Sequence, residues 1–168
     1  MKKLAVVASA LGLMSVLSVG CSSDDDPAEK TGPVAATPLT GAIEGKTFAA
    51  KAAIARKGFD DGERSITIYD AEVSCEDFSP KADRKILISV PWTSGTSRDF
   101  KLALGSDDSQ TATFVIERDS KTDNIISTQG RVEIVEAPTE KGATGKMRLR
   151  AVARDNNVEG EIAVELCE

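Results

Sequence analysis

Apolar and polar positions alternate in short runs through most of the chain after residue 40. From Lys85 to Trp92 the run places Ile86, Ile88, Val90 and Trp92 on one face at a period of two, the spacing of a half-buried strand. Arg98 to Leu104 repeats it with Phe100, Leu102 and Leu104, and residues 110–117 with Ala112, Phe114 and Ile116. Arg131 to Val135 offers Val132 and Ile134. Lys146 to Ala153 sets Met147, Leu149, Ala151 and Ala153 against Lys146, Arg148 and Arg150, and the last segment turns Ile162, Val164 and Leu166 inward. Ser65 to Tyr69 and the stretch before Cys75 add one or two more.

Between these runs lie Ser94-Gly95, Gly105 to Asp108, Asp123-Asn124, Lys141-Gly142 and Asp155 to Asn157, all of which suit turns. Strands at this spacing predict an all-β fold: an antiparallel β-sandwich or small barrel of about eight or nine strands, each sheet with one wet face. The segment Thr47 to Lys57 fits two patterns. Phe48, Ala52, Ala55 and Phe59 share a helical stripe with Thr47 as cap and Gly58 at the end, whereas Phe48, Ala50, Ala52 and Ile54 alternate as a strand does. A first strand is the expectation, and one short N-terminal helix the alternative.

Residues 22–40 are built from Asp, Ala, Thr, Pro and Gly with almost no large apolar side chain, too little to offset the entropy of ordering them. They read as a spacer, semi-extended by Pro27, Pro33 and Pro38. Residues 41–168 then make one domain, large enough for a proper core.

Ahead of the spacer, Lys2 and Lys3 precede an uncharged run from Leu4 to Gly20 that ends Leu17-Ser18-Val19-Gly20-Cys21. A basic start, an apolar stretch and small residues before a cleavage point make a secretory signal, and with Cys21 in place the segment resembles a bacterial lipoprotein signal peptide. The resemblance implies removal of residues 1–20 and lipid on Cys21, with residues 21–40 as lipidated N-terminus and linker. Each buried methylene contributes about 0.8 kcal/mol, so the three chains such proteins carry would hold the domain firmly on a membrane. Ser22, standing where an Asp resembles an inner-membrane retention mark, implies the outer membrane of a Gram-negative cell. Ser22-Ser23-Asp24-Asp25-Asp26 is similar to short acidic surface-export signals, so the periplasmic face and the cell surface both stay open.

Export places the remaining cysteines, Cys75 and Cys167, in an oxidising compartment, and with two the expected disulfide has one pairing. It would close a loop of roughly 92 residues, which the chain-entropy model values at about 4–5 kcal/mol. Without Lys2 and Lys3 the chain keeps 19 basic against 27 acidic side chains, about −8. That balance argues against nucleic acid and against electrostatic attraction to anionic lipid.

The chain contains no histidine, which removes Ser-His-Asp triads, Cys-His dyads and histidine-ligated zinc. Carboxylates near turns remain: Asp60, Asp61, Glu63, Asp70, Glu72, Glu76 and Asp77. Two of them across a groove would suit glycoside hydrolysis, but sugar stacking asks for exposed aromatics, and this chain has one Trp, one Tyr and five Phe. Asp107-Asp108 and Asp119 to Asn124 supply oxygen ligands, yet Lys121 and Gly130 break the twelve-residue calcium frame. No metal or cofactor is expected, and no catalytic residue.

Lys146, Arg148 and Arg150 form a basic stripe, with Arg131 on a neighbouring segment. They are the candidate binding residues for a carboxylate or sulfated glycan, unless Glu159, Glu161 and Glu165 at the same period pair with them across strands. Trp92 would serve as a ligand platform only if it left the core face it shares with Ile86 to Val90. The expectation is a membrane-tethered, non-enzymatic module binding a protein or glycan, or supporting an envelope assembly. The alternatives are an inhibitor or accessory protein presenting an edge such as Thr93 to Arg98 to an enzyme, and a carboxylate-based glycan hydrolase.

Overall fold

The computed structural model describes residues 32–77, 80–103, 109–119 and 121–167, and these are all-β. Eleven strands follow in chain order: β1 Thr40–Ile43, β2 Lys46–Ala49, β3 Ala52–Lys57, β4 Glu63–Tyr69, β5 Arg84–Pro91, β6 Ser97–Asp99, β7 Ala112–Arg118, β8 Lys121–Ser127, β9 Gln129–Glu136, β10 Thr144–Ala153 and β11 Asn156–Leu166. They form one sheet, nine of them in the order β6-β9-β10-β11-β3-β4-β5-β7-β8, with β1 paired to β11 and to β2. The expected count differs because β1 is too short to read, β2 and β3 read as one segment, β8 reads as a turn at Asp123-Asn124, and the stretch before Cys75 forms no strand. The sheet is also not purely antiparallel: β11 runs parallel to β3 at Glu165↔Ile54 and Leu166↔Ala55.

β8 ends this path and β9 stands second from its other end, yet the two are joined through Thr128 alone. The sheet therefore curls into a half-barrel whose ends meet there. Gly130 makes the bend: its φ is 135°, and a Cβ would lie 2.0 Å from the Arg150 carbonyl oxygen, an approach open only to glycine. The fully buried Ser127 hydroxyl accepts from Val152 N–H at 3.1 Å and lies 2.8 Å from the Val152 carbonyl. Beyond β6, Lys101 and Gln110 exchange two backbone hydrogen bonds of 2.9 and 3.0 Å.

Ile66, Ile68, Ile86, Phe114, Val132, Ile134, Met147, Leu149 and Leu166 fill the inside of the curl, as alternation on their strands requires. Thr47 to Lys57 is strand, not helix, and it is broken at Ala50-Lys51. There the chain changes partners, Ala50 N–H donating to Leu39 O and Lys51 N–H to Tyr69 O. The break shifts the phase by one residue, so Phe48 on β2 and Ala53 and Ala55 on β3 face the core. Ile54 faces the other way, into a small second cluster with Tyr69, Ala82 and Cys167.

Other expectations also change. Phe100 is buried but Leu102 is 55% exposed, because β6 ends at Asp99; Leu104 lies outside the described residues. Asp123-Asn124 is not a turn but the middle of β8. The spacer boundary moves too. Val34 and Leu39 are buried at 3% and 2% exposure, and Glu161 N–H donates to Thr37 O while Leu39 N–H donates to Glu161 O. Gly160 (φ 146°) permits this approach, since a Cβ there would lie 2.6 Å from Leu39 Cα. Two apolar anchors and a bared strand backbone thus draw residues 33–40 onto the sheet despite their composition.

Candidate functional site

The basic stripe is brought together as expected, and its charges are answered by acids on the adjoining strands. β10 pairs with β11 so that Arg148 faces Glu161 and Arg150 faces Glu159, with contacts of 2.8 and 2.7 Å. Lys146 pairs with Glu136 at 3.3 Å, and Arg131 with Asp99 at 2.7 Å and Glu133 at 3.1 Å. Hydrogen bonding to Asp99 raises the Arg131 pKa further above its ordinary value, so this guanidinium stays charged. Glu165 stands opposite Thr144 rather than a cation. Opposite charges in register on neighbouring strands account for the ladder without any ligand.

The ladder already holds a peptide, which is the chain's own. Arg150, 5% exposed, donates to the Pro33 carbonyl at 3.1 Å and the Gly32 carbonyl at 3.5 Å. Glu133 and Glu159 accept from Val34 and Ala35 N–H at 3.2 and 3.3 Å. Cations meet carbonyls and acids meet amides, so residues 32–37 form a strap across the outer face. Hydrogen bonds to charged groups contribute about 1.5–3 kcal/mol each in net terms. Arg150→Met is accordingly expected to cost about 1–3 kcal/mol and to open residues 32–39 to limited proteolysis, whereas unchanged cleavage would show the strap held by Val34 and Leu39 alone.

The remaining sequence candidates are dispersed. Trp92 is buried, and its indole N–H donates to Pro138 O at 2.9 Å, so it is no platform. Asp70 pairs with Arg84 at 2.9 Å, and Asp77 accepts from Ser74 N–H at 2.8 Å. Asp60 and Glu63 rim a shallow groove of about 440 Å³ beneath Phe59, which is 98% exposed on the β3–β4 turn. Of the stretch Asp119 to Asn124, weighed as a source of oxygen ligands, Lys121 to Asn124 is strand, with Asp123 3.6 Å from Arg118; Asp107-Asp108 lies outside the described residues. Among the described residues no three acidic or cysteine side chains converge on a point. Cys75 and Cys167 are joined as expected, with Cα atoms 5.2 Å apart. Cys21 lies outside the described residues.

Thr93 to Arg98 does run along a sheet margin. Gly95 N–H and Thr96 O bond to Ile134, and Ser97 to Asp99 pair with β9 and stay exposed.

One feature had no reading in the sequence. β8 pairs with β7 through all seven of its residues, from Arg118↔Lys121 to Ala112↔Ser127, and among the described residues no strand pairs with its other edge. β10 approaches β8 only near Ser127, then turns away at Arg154-Asp155. Between them lies a cleft of about 500 Å³ lined by Asn124, Ile125, Ile126, Gln129, Val152 and Arg154 among others. Ile126 is 57% exposed. The signal was Ile125-Ile126 itself: two successive large apolar residues on one strand must face opposite sides.

No family model matches the chain, and none of the curated proteins or solved structures compared with it does.

Proposed function

We propose that the chain is a membrane-tethered, non-enzymatic module of the outer envelope, lipidated on Cys21, that binds a protein partner along the open edge of β8. The observation that carries this reading is a seven-residue strand whose second edge no described strand covers, beside a cleft walled by both apolar and polar side chains. A bare strand edge is a template for another chain's backbone, and strand addition is a recurrent mode of peptide capture. The arginines and acids that would otherwise serve small ligands are engaged with one another and with the strap, which favours protein over glycan.

The strap also bears on the tether. With residues 33–40 on the sheet, the eleven residues 21–31 connect the lipid to the domain, spanning roughly 40 Å at full extension. The partner then lies in the outer membrane or close to it, on the periplasmic face or the cell surface. A second reading, an inhibitor or accessory protein acting through Thr93 to Arg98, rests on the exposure of β6 and predicts loss of an enzyme partner when that segment is replaced.

Two measurements test the main reading. The mass of the N-terminal peptide from detergent-extracted protein is expected to show acylated Cys21; an unmodified Cys21 would overturn the anchor. A photo-cross-linking residue at position 126 in intact cells is expected to give a discrete protein adduct that position 139, exposed on another loop, does not. Equal patterns at both positions would remove β8 as the binding edge.

A further inference from the structure

We infer that the cleft beside β8 receives an extended peptide segment that carries a carboxylate, seated as an added strand with its acid on Arg154. The inference rests on the reading of β8 as a binding edge and specifies the chemistry of what binds. Arg154 is the charged residue lining the cleft. It makes no ion pair or side-chain hydrogen bond among the described residues. Arg84, Arg118, Arg131, Arg148 and Arg150 each meet an acid; among the described residues Arg154 shares the lack of one with the exposed Arg56 and Arg98, and differs from those two in lining the cleft. In a chain whose acids outnumber its bases 27 to 21, a cation left unanswered at a cleft mouth points to a negative charge supplied by the occupant.

The fold fixes Arg154 there. It occupies the β10–β11 turn with φ 55°, in the left-handed region that a non-glycine residue adopts at a modest cost. Asn156 Nδ2 donates to Ala153 O at 3.0 Å across the same turn, so the backbone beneath Arg154 is held. The walls of the cleft describe the rest of the occupant. Ile125, Ile126, Val152 and Ala153 ask for apolar side chains, while Asn124, Thr128 and Gln129 offer amides and a hydroxyl. Alternate residues of β8 turn their N–H and C=O away from β7, at the two-residue interval that an added strand matches. A guanidinium meeting a carboxylate gives a charge-assisted bond that holds the register of such a strand.

The test uses the full chain in detergent, isotopically labelled for amide shifts, and three seven-residue peptides. The first alternates Thr and Ile between an Asp at each end, so that either strand direction brings an acid to Arg154. The second has Asn for both Asp, and the third is the first N-methylated at alternate residues. The acidic peptide is expected to shift amides of 121–129 and 152–154 and to bind about tenfold more tightly than the Asn peptide. Arg154→Gln, at an exposed turn, should abolish that preference and leave the fold intact, and the N-methylated peptide should not bind. Equal binding of the Asp and Asn peptides at β8 would overturn carboxylate recognition and leave the edge reading standing. Shifts elsewhere, or none, would overturn both. A dimer in sedimentation that Ile126→Asp dissociates would also overturn the proposal, by assigning the cleft to a second copy.

Discussion

Replacing Cys75 and Cys167 together by alanine is expected to lower the unfolding free energy by about 4 kcal/mol, within the 2–5 kcal/mol usual for a native bridge in a secreted domain. The bridge spans 92 residues, and the chain-entropy model assigns such a loop about 4–5 kcal/mol. Its position adds a local effect. Cys75 lies in the crossing from β4 to β5, on the outer side of the sheet, where Ala71 and Val73 pack with Ile54, Tyr69 and Cys167. Cys167 follows directly on Leu166, at the parallel seam where β11 meets β3 through only two residue pairs. Cys167 N–H donates to Ala55 O at 2.9 Å on that seam. Loss of the bridge should therefore speed amide exchange at 165–167 and in 70–77 ahead of the rest. Denaturant unfolding of the double variant, beside the parent with and without reductant, measures the effect. A loss under about 1 kcal/mol would show the second cluster holding the seam without the covalent link.

Phe48→Ala is expected to cost about 3–5 kcal/mol, the range for a fully buried aromatic truncated to alanine. Phe48 has no exposed surface, and the hairpin it belongs to is lightly held by its backbone. β1 meets β11 through three residue pairs, and β2 pairs with β1 alone. Side chains therefore do most of the holding, with Leu39, Ile43 and Phe48 all in the main core. Removing the largest leaves a cavity that a short hairpin can partly relieve only by moving. The expected signature is a fall in midpoint together with faster exchange at 40–49 than at 63–69 or 84–91. A cost near 1 kcal/mol would mean that the hairpin collapses onto the space at little expense.

Much of the fold was legible because alternation encodes which side of a strand meets the core. Ile86, Ile88, Val90 and Trp92, and likewise Ala112, Phe114 and Ile116, are buried as their spacing requires. Local pattern failed where a partner strand overrode it. The phase slip after Phe48 follows from an exchange of backbone partners at Ala50-Lys51, which no side-chain period announces. Leu102 reads as core but lies beyond the last pairing of β6. The stripe of Lys146, Arg148 and Arg150 was visible, and so was its pairing with Glu159 and Glu161. Its second task, gripping residues 32–37, was hidden because backbone carbonyls and amides leave no mark on composition.

The sequence by itself determined the all-β class, the inward faces of the long strands, the single pairing available to Cys75 and Cys167, and the exclusion of histidine-dependent chemistry. Each of these depends on residue type and near spacing. Only the tertiary structure decided the curl that brings Thr128 between the two ends of the sheet, the parallel seam, the strap, and the bare edge of β8 beside Arg154. These depend on which strand lies next to which, through hydrogen bonds between backbones that are alike at every residue but proline.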